Sequence, residues 1–189
     1  MAKILGLSGS LRQGSLNSML LRAAAALAPV GIEVEIGTIQ GIPLYDGDVE
    51  SSAYPQSVTD LKSRITACDG LLLVTPEYNN GVPGVFKNAI DWLSRPSTDM
   101  ARVFGGRPVA LMGASPGPFG TVLAQEHWLA TLRTLGTLQW NGSKLTVARA
   151  GAMFNDTGEL TDENTRKQVQ KFMHGFAGFV QSQHRQPIH

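Results

Sequence analysis

The residues best suited to chemistry in this 189-residue chain stand in three short loops. The first reads Ser8-Gly9-Ser10-Leu11-Arg12-Gln13-Gly14-Ser15-Leu16-Asn17. It combines glycines, hydroxyls, an arginine and an asparagine, and it leads directly into a stretch of strong helix formers. Backbone N–H groups at a helix N-terminus attract anions. Arg12 adds a planar charged fork suited to phosphate. The loop approaches a nucleotide-triphosphate loop, with four residues between Gly9 and Gly14 and Ser15 following. The lysine that would reach the terminal phosphates is missing, and so is a G-x-G-x-x-G fingerprint. The chemistry to expect is therefore capture of one phosphate group.

The second loop is Pro76-Glu77-Tyr78-Asn79-Asn80-Gly81-Val82-Pro83-Gly84. Its prolines and glycines restrict the backbone. Such a loop can lay successive peptide groups along the edge of a flat heterocycle, with Tyr78 packing near the ring. The third, Gly113-Ala114-Ser115-Pro116-Gly117-Pro118-Phe119-Gly120, has glycines that allow close backbone approach from the other side. Together the loops predict a phosphate pocket beside a slot for a planar ring.

Elements that would bring these loops together follow from the apolar pattern. Short apolar runs at residues 4–7, 32–36, 70–75, 108–112 and 145–148 read as strands. Segments with helix formers or helical periodicity lie at 17–28, 57–67, 85–94, 121–135 and 161–183, the last with Thr161 as its N-cap. Alternation at 32–36 marks a strand near a sheet edge, whereas 70–75 looks buried on both faces. Five β-α units with no break in composition predict one α/β domain over residues 1–189, a doubly wound five-stranded parallel sheet with helices on both faces. The common strand order is 2-1-3-4-5, and its ligand crevice lies beyond the carboxyl ends of strands one and three.

Composition narrows the function classes. A net charge of +1 with scattered Lys and Arg offers no field for nucleic acid or an acidic membrane. No apolar run approaches the roughly 20 residues of a membrane span. The start at Met1 lacks a signal-peptide layout, so a cytoplasmic protein is expected. A single cysteine, Cys68, excludes an intrachain disulfide and suits a buried structural role. His127, His174, His184 and His189 show no metal-ligand spacing, so no metal is expected; His184 and His189 fall in a tail expected to be mobile. Ser115 is followed by Pro116-Gly117, which is not the G-x-S-x-G elbow of an esterase.

Gly9 to Asn17, Thr75-Pro76-Glu77-Tyr78-Asn79, Val82-Pro83-Gly84 and Lys87-Asn88-Ala89-Ile90-Asp91-Trp92 together resemble the two signatures of the NAD(P)H-dependent FMN reductase family, in particular its chromate/quinone reductase branch. The resemblance runs over nearly the whole chain; one departure is Gly81, where many members carry Ser. It implies a flavodoxin-like fold that holds FMN non-covalently. By this resemblance Ser10, Arg12, Ser15, Leu16 and Asn17 hold the FMN phosphate. Pro76, Glu77, Tyr78 and Asn79 line the isoalloxazine, and Ser115 and Gly117 close its other side. It also implies hydride transfer from NADPH or NADH to FMN N5, followed by two-electron reduction of a small-molecule acceptor in a ping-pong cycle. A quinone is the first expectation, with chromate, ferric complexes or azo compounds as further acceptors. The cofactor carries that chemistry, so no catalytic side chain is nominated. A homodimer or homotetramer is implied, with contacts from the helices beginning near Gly84 and Thr121. Ile90, Trp92, Leu93, Trp128, Leu129 and Leu132 are then either core or interface. The alternatives are a flavodoxin-like electron carrier that does not oxidise NAD(P)H, against which the lack of acidity argues, and a non-redox phosphate-binding module.

Overall fold

Strand β3, Gly70–Val74, is apolar throughout and buried throughout. It lies between β1, Ala2–Ser8, and β4, Pro108–Ala114, which pair with its two edges, while helices cover both of its faces. β2, Ile32–Gly37, pairs with the far side of β1 and forms the edge that its alternating sequence predicts. All pairings are parallel, and with β5, Leu138–Gln139, beside β4 the order β2-β1-β3-β4-β5 is the one expected of a flavodoxin-like sheet. The computed structural model describes residues 1–183. His184 and His189 lie outside the described residues.

Side chains alternate across the sheet with the strand period of two. Ile4, Leu72, Val74, Ala110 and Met112 face α1, Leu16–Ala26, and α7, Glu163–Gln183. Leu5, Leu7, Leu71, Leu73 and Val109 face α3, Gln56–Thr66, α4, Gly84–Leu93, and α6, Val122–Thr134. Each fully buried Leu, Ile or Phe contributes about 1.5–3 kcal/mol. Ile90, Trp92, Leu93, Trp128 and Leu132 are at most 1% exposed, which assigns them to the core. Leu129 is half-buried beside Val109 and Leu111.

The fifth sheet position departs from the single strand expected at 145–148. It is shared by β5, Leu138–Gln139, beside Pro108 and Val109, and by β6, Leu145–Val147, beside Met112–Ala114. The Trp140 N–H still donates to the Val109 carbonyl at 2.8 Å, and residues 141–144 depart from the sheet between the two short strands. The Trp140 indole packs on Phe172 and Phe176 of α7, with ring centroids 4.9 and 5.8 Å away. Helix α7 starts later than expected. Asp162, not Thr161, caps it, its carboxylate accepting the Thr165 N–H at 2.7 Å. Two short helices, α2 at Gly47–Ser52 and α5 at Met100–Phe104, are too brief to leave a periodic signal.

Candidate cofactor site

The loop after β1 meets α1 at Ser15, whose hydroxyl accepts the Ser18 N–H at 3.2 Å and so caps the helix. The N–H groups of Leu16 and Asn17 belong to the first turn, where no helical carbonyl can take them. The Ser10 hydroxyl accepts the Arg12 N–H at 3.3 Å. Arg12 itself is exposed, and its guanidinium forms no ion pair among the described residues. Gly9 is buried at the base of the loop. A Cβ there would stand 2.2 Å from the Phe86 ring, so only glycine lets the loop rest on α4. A hollow of about 170 Å³ adjoins this loop, lined by Ser8, Ser10, Ser18 and Thr38 among others.

Asn17 has a second duty. Its carboxamide donates to the Ala114 carbonyl and accepts the Ala114 N–H, both at 2.9 Å and both buried. This pair of bonds ties the start of α1 to the end of β4. Toward an anion, Asn17 offers its backbone N–H.

The loop after β3 is fastened from below. Thr75 is fully buried; its hydroxyl donates to the Pro76 carbonyl at 2.8 Å and accepts the Trp128 indole N–H at 3.0 Å. The Glu77 carboxylate accepts the Ala124 N–H at 2.9 Å, in the first turn of α6, where negative charge is favoured. Beyond it, Tyr78 and Gly81 exchange backbone hydrogen bonds at 3.2 and 3.0 Å. Asn79 and Asn80 form the tight turn between them, with φ of 50° and 61°. Two successive left-handed residues match a type I′ turn. The asparagines, not the glycines, supply its unusual backbone. Tyr78 is 48% exposed, with a ring face free for stacking.

The third loop is held by the segment after β6. Ser115 bonds through its N–H to Val147 and through its carbonyl to Ala150, and the Gly117 carbonyl accepts the Arg149 N–H at 2.8 Å. The loops carrying Ser10 to Asn17, Pro76 to Asn79, and Ser115 with Gly117 thus follow the carboxyl ends of β1, β3 and β4, three adjacent strands. Fixed N–H groups, hydroxyls and a free guanidinium stand on one side, and a rigid backbone edge with an exposed tyrosine on the other. That donor set fits a phosphate joined to a planar ring.

Sequence reasoning misses the bracing by Asn17, Thr75, Glu77 and Trp128, because the partners lie 47 to 97 residues apart. Asn88 and Trp92, within the second signature, are also structural: both donate to the Pro43 carbonyl and hold the segment after β2. Cys68 is buried, its thiol near the Ile65 and Gly70 carbonyls, and burial pushes it above the ordinary thiol range. His127 and His174 are exposed, and no three of His, Cys, Asp and Glu converge as metal ligands among the described residues. No helix among the described residues is long and apolar enough to cross a membrane.

Comparison with known proteins gives the family. The chain is 44% identical over 169 residues to an NAD(P)H-dependent FMN reductase of Pseudomonas aeruginosa, covering 89% of this chain and 90% of that one. It is 37% identical to the quinone reductase of Escherichia coli, covering 95% of each. Among solved structures it superposes on FerB, a flavoenzyme NAD(P)H:(acceptor) oxidoreductase from Paracoccus denitrificans, with a TM-score of 0.87 and 34% identity over 97% of this chain and 99% of that one. Residues 2–152 match the NADPH-dependent FMN reductase family, and the chain, an FMN-dependent oxidoreductase, belongs to it.

Proposed function

We propose that this protein is a quinone reductase that takes reducing equivalents from NADPH or NADH and passes them in pairs to the acceptor. The observation that carries this reading is the convergence of a phosphate-type loop and a rigid ring-edge loop at three adjacent strand ends, cross-braced by Asn17–Ala114 and Glu77–Ala124. When bound, FMN supplies the redox chemistry, accepting a hydride from the nicotinamide and releasing two electrons to the acceptor. The protein's residues bind and orient. Arg12, Ser10, Ser15 and the N–H groups of Leu16 and Asn17 hold the phosphate. Pro76 to Asn79 present backbone to the ring edge, and Ser115 and Gly117 close the opposite side. Donor and acceptor use the same open face in turn, which predicts ping-pong kinetics. Chromate, ferric complexes and azo compounds are further acceptors in this scheme.

Val85, Phe119, Val122 and Leu123 are exposed apolar side chains near the starts of α4 and α6. Exposed apolar surface around a ligand crevice suits association, and we assign it to a homodimer or homotetramer. A single buried thiol suits a reducing cytoplasm.

One experiment tests the core of this reading. The protein is saturated with FMN, gel-filtered, and its visible spectrum is recorded before and after anaerobic NADPH or, in a parallel sample, NADH, then after 1,4-benzoquinone. Retained flavin that bleaches with NADPH and recovers with the quinone is the expected result. Retained flavin that stays oxidised with both nicotinamides means an electron carrier. No retained flavin overturns the site.

A further inference from the structure

A second cleft lies on the α1/α7 face of the sheet; none of the three loops lines it, although Arg22 stands between it and the hollow beside the first loop. Its volume is about 490 Å³, within the range of small-molecule sites. Helix α1 supplies Ala23 and Ala26 to one wall, its C-cap Leu27 extends that wall, and the segment that follows β6 supplies Leu160. Two arginines also line it, Arg22 from α1 and Arg166 from the first turns of α7. Neither guanidinium forms an ion pair among the described residues, whereas Arg64, Arg95 and Arg102 are all paired.

The opposing wall is rigid. The Asn155 carboxamide oxygen accepts the Thr157 and Glu159 N–H groups at 3.1 and 2.9 Å, and the Thr157 hydroxyl at 2.7 Å. The Gly158 N–H closes the same turn onto the Asn155 carbonyl. Gly158 has φ of +79°, and Arg22 Nη2 lies 3.0 Å from where its Cβ would stand, so the guanidinium reaches across the cleft to this turn. The acid in the cleft, Glu159, is already engaged. Its carboxylate accepts Asn155 Nδ2 at 2.9 Å and the Thr157 hydroxyl at 3.2 Å, which hold it below the usual carboxylate range. Two guanidinium groups without ion pairs among the described residues, set against the one Glu159 carboxylate, leave the cleft a net positive charge beside an aliphatic floor.

We propose that this cleft binds a small amphipathic carboxylate, its head between Arg22 and Arg166 and its aliphatic body along Ala23, Ala26, Leu27 and Leu160. Guanidinium and carboxylate match in planar, two-point geometry, and a wall fixed before binding lowers the ordering cost.

The test titrates octanoate into FMN-loaded protein by isothermal calorimetry, with acetate and 1-octanol as controls. One octanoate site is expected, with both controls binding much more weakly. Arg22→Gln and Arg166→Gln should each weaken octanoate about tenfold, the loss of one charge-assisted hydrogen bond, and the double variant should abolish it. Both side chains are exposed, so circular dichroism should be unchanged in the variants, and flavin retention should be unchanged in Arg166→Gln, whose side chain lies away from the phosphate loop. Absence of octanoate binding overturns the proposal. So does octanoate binding that survives in the double variant, or acetate or 1-octanol binding as tightly as octanoate.

Discussion

The loops after β1 and β3 lie side by side yet are built on opposite plans. The first keeps its charge outward: Arg12 is exposed and has no ion pair among the described residues, and the first turn of α1 holds N–H groups that no helical carbonyl can take. The second spends its buried and half-buried polar side chains inward: Thr75 is consumed by Trp128 and Pro76, and Glu77 by the start of α6. The difference teaches where binding energy and rigidity come from. A phosphate is held by charge and donors, which must stay free until it arrives. A ring edge is read by backbone, whose position must be set beforehand by bonds elsewhere.

Asn17 joins the two plans, and removing it should have the largest effect. Asn17→Ala leaves the buried Ala114 N–H and carbonyl without partners, at about 1–3 kcal/mol each. At roughly 2–4 °C per kcal/mol for a chain of this size, thermal denaturation should show Tm falling by several degrees at least. FMN affinity should fall with it. A variant as stable as the wild type would mean that the first loop and β4 keep their places independently.

Arg12→Ala separates binding from folding. Loss of one charge-assisted bond of about 1.5–3 kcal/mol corresponds to an FMN dissociation constant raised about 10- to 100-fold. The Tm of the apoprotein should not move, because the exposed side chain has no ion-pair partner among the described residues. Unchanged FMN affinity, measured by flavin fluorescence quenching, would remove Arg12 from the phosphate site.

Glu77→Ala should show the reverse balance. The carboxylate serves α6 as a capping acceptor, and losing such a cap costs about 1 kcal/mol. The Tm of the apoprotein should drop by roughly 2–4 °C, while FMN affinity changes far less than in Arg12→Ala. Glu77→Gln, which keeps an oxygen acceptor without the charge, should recover part of the stability. If Glu77→Ala loses FMN as severely as Arg12→Ala, the contrast between the loops is wrong.

Strands and loop positions are legible in the sequence because burial writes itself into short apolar runs, as at Leu71 to Val74. The three loops are legible because glycine, proline and hydroxyl residues gather where a chain must turn and bind. Bonds that cross the fold are not. Nothing beside Glu77 announces Ala124, and nothing beside Asn17 announces Ala114. Trp140 reads as one more aromatic residue, although it packs on Phe172 and Phe176 of α7, more than 30 residues along the chain. Thr161 and Asp162 are both good caps by type, and only geometry chooses Asp162.

Gly81 gives the smallest expected effect and the finest test of the contrast. It closes the Asn79-Asn80 turn, but the left-handed angles belong to the asparagines, so the backbone does not demand glycine at 81. A Cβ there would lie 3.6 Å from His127 Nδ1, an ordinary contact. Gly81→Ser should therefore fold with a stability change within about 0.5 kcal/mol, as for a surface substitution. If the loop after β3 reads the ring by backbone alone, the added hydroxyl should leave flavin retention and the visible absorption maximum where they were. A shifted maximum or a lower flavin content at unchanged Tm would show that the side chain at 81 enters the ring slot. The second loop would then bind as the first does, through groups held free, and the distinction between the two would narrow to Glu77 and Thr75.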